Sequence, residues 1–232
     1  MGTLLLLGFL LGMRHALEAD HVAAVATLTT STNTLGSAIK QGAVWGMGHT
    51  ITLFLFGSVV LLSNSIIPED MAQALEFAVG VMLIVLGIDV LRKILKDKVH
   101  FHVHQHGDLR HFHAHKHAPG TSHSSDSHEH RHDRFPRKAL FIGLMHGMAG
   151  SAALILLTLH NVTSTATGLL YMLLFGAGSI LGMAALSAII FIPLQHSAKT
   201  LTWLNNSLQL IVGLLTTSLG AFVTYSIGSN YI

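Results

Sequence analysis

LGMRHALEADHVAAVATL, residues Leu11 to Leu28, decides how this chain is read, because it sets Arg14, His15, Glu18, Asp20 and His21 in the middle of an apolar run. Laid over IGLMHGMAGSAALILLTL, residues Ile142 to Leu159, it aligns without a gap: His15 meets His146, Thr27 meets Thr158 and Leu28 meets Leu159. Two further stretches follow the same division. FAVGVMLIVLG (Phe77–Gly87) aligns with a second LIVGLLTTSLG segment so that Gly80 meets Gly213 and Gly87 meets Gly220, and Gly48-His49 aligns more weakly with Gly178-Ser179. Self-similarity at this scale marks an internal repeat.

Composition says where such a repeat lives. The 232 residues are 50% hydrophobic and 10% charged, against about 25% charged in an ordinary soluble domain. Six apolar stretches reach the roughly 20 residues that span a bilayer: Thr3–Leu28, Ser37–Leu62, Ala72–Leu95, Lys138–His160, Thr167–Leu194 and Thr202–Ile227. As core helices of a soluble protein they would leave no polar shell to cover them. The first stretch lacks a basic leader and a small-residue cleavage site, and reads as a retained span. The expected fold is therefore an all-α polytopic membrane protein. Its six transmembrane helices form two three-helix repeats, 1–96 and 137–232, joined by a loop over 97–136. Three spans is an odd number, so the second repeat enters the membrane from the opposite side, an inverted arrangement that places binding sites at the midplane between the halves.

Lys and Arg collect on cytoplasmic loops. Lys40 follows span 1, ten from Arg92 to Lys138 surround the connection between spans 3 and 4, and Lys199 follows span 5; the other side has only Glu69 and Asp70 in its span 2–3 loop. Both termini are expected outside the cell membrane and the long loop in the cytoplasm. That loop holds twelve of the 18 histidines, with His100, His102, His104 and His106 in alternation and His111, His113, His115 and His117 in the same rhythm. Its polar composition predicts a disordered segment. Neutral imidazoles at this density point to reversible metal capture rather than to a plain polar linker.

Ionisable groups inside a hydrocarbon core are costly and mark function by default. They concentrate in span 1, in span 2 at His49 and in span 4 at His146. On an ideal helix of about 100° per residue, His15, Glu18 and His21 share a face while Asp20 points away from His15. Either the span is broken there, or Asp20 orients an imidazole from behind. Arg14 stands four residues before Glu18, at pairing distance, and is expected as its charge partner. Nitrogen and oxygen donors without thiolate suit Ni²⁺ and Co²⁺, with Zn²⁺ and Mn²⁺ as competitors. Met13, Met47 and Met145 read as apolar filler, His160 and His196 as span-end residues, and the glycines as close helix contacts.

The motif RHALEADHVAAV, with His15, four residues, then Asp20-His21, resembles the signature of the nickel/cobalt transporter family, and GHT at His49 resembles that family's second-span motif. GLMHGMAGSAAL around His146 looks like the fourth-span motif of the shorter, six-span members associated with urease accessory genes. The resemblance implies permeation of Ni²⁺ or Co²⁺, with His15, Asp20, His21 and His49 as metal-site residues; Glu18 stands where long members usually have Asp. It also implies a cytoplasmic nickel chaperone, or urease or hydrogenase maturation proteins, as partners, and no nucleic acid. The transported ion is cargo, and no resident cofactor is expected. Uptake is the leading expectation and efflux by proton exchange the alternative; an intramembrane metal-dependent hydrolase and a metal-sensing or storage protein are the other classes considered.

Overall fold

The computed structural model describes residues 2–63, 68–96, 101–106, 109–114, 135–149, 164–200 and 202–229. Its helices are α1 (Gly2–His15), α2 (Ala19–Thr29), α3 (Leu35–Ser63), α4 (Glu69–Lys96), α5 (Arg137–Ala149), α6 (Thr165–Thr200) and α7 (Thr202–Gly228). Among the described residues, α3, α4, α6 and α7 are each long and apolar enough to cross a bilayer, and α1 with α2, bent by 57°, pass the same test only when taken together. Large apolar side chains such as Leu55, Val59, Phe222 and Tyr225 point outward, a surface suited to lipid rather than water. The chain is a polytopic helical membrane protein. Of the stretch expected as a fourth span, α5 is described; the rest, with His160, lies outside the described residues.

One continuous first span is not what forms. Residues 16–18 break it: Leu17 N–H donates to Arg14 O and Glu18 N–H to His15 O, both one residue tighter than an α-helix, and Glu18 is extended (φ −64°, ψ 147°). Charge explains the position. Arg14 and His15 close the last turn of α1 and Asp20 opens the first turn of α2, each sign placed where a helix end favours it. Asp20 Oδ1 also accepts the His21 backbone N–H, at 2.9 Å, one of the first-turn donors a new helix leaves without a partner.

The histidine-rich segment departs from expectation in part. Where an unfolded stretch is predicted, the backbone forms two antiparallel strands, β1 (Phe101–His106) and β2 (Leu109–Ala114), with His102 opposite His113 and His104 opposite His111. Alternation at a period of two is also the strand pattern. His100, His115 and His117 lie outside the described residues.

Glycines set how the spans meet. Helix α1 lies along α6, α3 lies between α5 and α6, and α4 lies along α7. A Cβ on Gly12 would run into the Phe175 carbonyl and the Ser179 amide, and one on Gly143 into the Trp45 carbonyl and the His49 amide. Gly178 meets Phe9 and Met13 in the same way, Gly48 meets Leu140 and Leu144, and Gly80 and Gly87 face Gly220 and Gly213. Small residues at such crossings let backbones approach closely, which is what holds helices together where lipid is as apolar as leucine. Gly12→Val is expected to destabilise the folded protein by about 2 kcal/mol or more, the upper part of the overpacking range, while Gly36→Ala, with nothing near its added methyl, should be close to neutral. Thermal unfolding of the two variants in detergent checks this, and equal melting temperatures would contradict the packing account.

Candidate metal centre

The break in the first span brings His15 and His21 to one place from the ends of two different helices. His49 reaches the same place from the middle of α3 and His146 from the last turn of α5. All four are buried. His15, His21 and His49 each offer a ligand atom within 4.8 Å of the other two, and Asp20, His21 and His146 form a second such group. The ring centroids of His15 and His146 each lie 4.3 Å from that of His21.

The carboxylates orient the rings. Glu18 Oε1 accepts from His15 Nδ1 at 2.8 Å and Asp20 Oδ1 from His21 Nδ1 at 2.9 Å. An ionised carboxylate only accepts, so both rings carry their proton on Nδ1 and a lone pair on Nε2, which in His15 faces His49 Nε2 and in His21 has no partner. Carboxylates behind ligating histidines do this in metal sites generally, fixing the tautomer and raising basicity. Asp20 Oδ2 in addition accepts from His146 Nε2 at 2.9 Å, tying α2 to α5. His15 Nε2 and His49 Nε2 are 3.2 Å apart. Two nitrogens at about 2.1 Å from one ion stand roughly 3.0 to 3.4 Å apart, between right-angle and tetrahedral geometry. His21 Nε2, His49 Nδ1 and His146 Nδ1 are buried without a hydrogen-bond partner, a state that usually has an explanation such as an ion.

The two alternatives for Asp20 are thus both realised: the span is broken, and Asp20 stands behind His21. Glu18 bonds to His15. Arg14, expected as its charge partner, is exposed, and no Arg14–Glu18 ion pair is present among the described residues. His196 is exposed on α6. Two aromatic residues absent from the sequence reading line the centre. Trp45 is fully buried, with its ring 5.4 Å from His21 and 5.6 Å from His146, and Phe175 lies 5.3 Å from His15. Trp45 sits one helical turn before His49, a spacing that carries the signal. Phe175 carries no such signal in the sequence.

Trp45 is a built-in probe. In a Trp203→Phe background it is the sole tryptophan of the two in the chain, and Ni²⁺ or Co²⁺ bound beside it should quench at least half its emission. Replacing His15, His21 and His49 together by Ala should remove the quenching; persistence in that variant would place the metal elsewhere.

Residues 3–222 match the family profile described as the cytochrome C biogenesis protein transmembrane region. The urease accessory protein UreH of Bacillus sp. (strain TB-90) is 37% identical over 226 residues, covering 97% of this chain and 92% of that one. A Methanocaldococcus jannaschii protein, MJ1092, whose name ascribes to it nickel/cobalt efflux, is 25% identical over 223 residues, 90% of this chain and 89% of its own. The chloroplast protein FOR GROWTH AND FERTILITY 1 of Arabidopsis thaliana is 25% identical over 222 residues, 89% of this chain and 56% of that longer one. No solved structure matches the chain. The chain belongs to the cytochrome C biogenesis protein transmembrane region family and is similar to UreH over nearly its whole length.

Proposed function

We propose that this protein carries Ni²⁺ or Co²⁺ across the cell membrane, inward, through the centre formed by His15, His21, His49 and His146 with Glu18 and Asp20. The observation that carries the reading is the set of buried imidazole nitrogens gathered at a broken span, with carboxylates behind His15 and His21. Broken helices at midplane are where transporters hold ions. The same geometry weighs against an intramembrane hydrolase: both carboxylates already accept from histidines, so neither is free as a base. With no cysteine, the chain itself has no thiol for disulfide exchange, whatever the family's description suggests.

Alternating access follows from the inverted repeat, and the glycine contacts support it. Pairing Leu11 with Ile142 and Gly48 with Gly178 turns the Gly12 contact with Phe175 and Ser179 into the Gly143 contact with Trp45 and His49. It likewise turns the Gly178 contact with Phe9 and Met13 into that of Gly48 with Leu140 and Leu144. Contacts that map onto one another in this way support a two-fold relation between the halves. The reading places both termini outside and the loop in the cytoplasm, where its histidines, among them His100 to His106 and His111 to His117, accept the released ion. From there a cytoplasmic nickel chaperone or urease maturation proteins collect it, in keeping with the name of UreH.

Inward movement needs no second substrate. A dication crossing 100 mV, inside negative, gains about 4.6 kcal/mol, twice the roughly 2.3 kcal/mol per charge. Efflux is the second reading, favoured by the name of MJ1092, and would need coupling to protons. Radiolabelled Ni²⁺ flux into liposomes separates the two: uptake driven by potential alone is expected, and movement only against a proton gradient would reverse the direction. His15→Ala and His21→Ala should each abolish flux with the protein still in the membrane; undiminished flux in both would overturn the assignment. Deleting residues 100–132 should lower the amount of metal retained by cells while leaving the preference among Ni²⁺, Co²⁺ and Zn²⁺ unchanged.

A further inference from the structure

We infer that the centre is two successive ion stations sharing His21: an outer one of His15, His21 and His49, and an inner one of Asp20, His21 and His146. This rests on the transport reading above and gives its internal order. Each group of three is compact enough to hold one ion, and His21 is the member common to both. Its ring lies between the rings of His15 and His146, 4.3 Å from each. Its two nitrogens are in different situations: Nδ1 faces Asp20, while Nε2 is buried without a partner. With its proton on Nδ1, the ring has the Nε2 lone pair alone to offer, and the two stations share it.

The stations belong to different approaches. His15 ends α1, and Phe175 of α6 stacks beside it. His146 lies near the end of α5, and Trp45 of α3 stands beside it. In the inverted arrangement α1 comes from the outside and α5 from the cytoplasm, so each station is met first from its own side, with Trp45 beside His21 and His49 as well as His146. An ion passing between them keeps His21 and exchanges the other two donors, which avoids stripping it of all ligands at once. Because both stations need His21, the centre carries one ion at a time.

Initial rates of radiolabelled Ni²⁺ entry into right-side-out and inverted membrane vesicles, both with an inside-negative potential imposed, test this. From the outer side, His49→Asn should raise KM at least tenfold, whereas His146→Asn should leave KM within about threefold and lower the maximal rate at least tenfold. From the inner side the two variants should exchange behaviour, which a merely misfolded protein would not do. His21→Asn should raise KM from both sides. Equal KM shifts for His49→Asn and His146→Asn from the same side, or shifts that do not depend on the side, would overturn the two-station order in favour of a single four-imidazole site. Wild-type vesicles without saturable Ni²⁺ entry would instead overturn the transport reading itself.

Discussion

The Asp20 carboxylate holds the centre together. It accepts three hydrogen bonds, from the His21 backbone, His21 Nδ1 and His146 Nε2. In doing so it satisfies the start of α2, orients one ligand and ties the first half of the chain to the second. An isolated carboxylate at membrane depth would be costly. Here the cost is offset locally by donors and by the N-terminal end of a helix, and the same bonds set the direction of the imidazoles. Without the break at residues 16–18 there would be no helix start at this point for Asp20 to satisfy.

Around this point the frame is built from close backbone contact. Gly12, Gly48, Gly143 and Gly178 allow α1, α3, α5 and α6 to meet at the depth of the four histidines. The α4–α7 pair, joined through Gly80, Gly87, Gly213 and Gly220, stands beside them, and α2 reaches across to it where Thr27 and Thr216 share a hydrogen bond of 3.1 Å. Such packing transmits small movements, since tightly fitted helices shift as units rather than deform.

Much of this is legible in the residues. The apolar runs, the charge set at the middle of span 1 and the histidines of spans 2 and 4 all follow from the cost of polar groups in hydrocarbon, which leaves such residues few and therefore conspicuous. The broken span is half legible: Arg14-His15 followed by Glu18 and Asp20 is the sign order of one helix ending and another beginning, yet nothing in RHALEADH forbids a continuous helix, as a proline would. The partner of Glu18 is not legible at all. Arg14 at four residues and His15 at three are both within reach on a helix, and burial of the His15 ring decides between them.

Sequence by itself determined that this is a helical membrane protein whose apolar stretches carry imidazoles, because hydrophobicity, spacing and residue type are local properties. Tertiary structure alone decided which nitrogen of each ring is free, that Asp20 bridges His21 and His146, and that Trp45 and Phe175 border the centre. Those depend on distances between helices far apart in the chain, set by glycine-lined crossings whose depth and angle no single segment encodes.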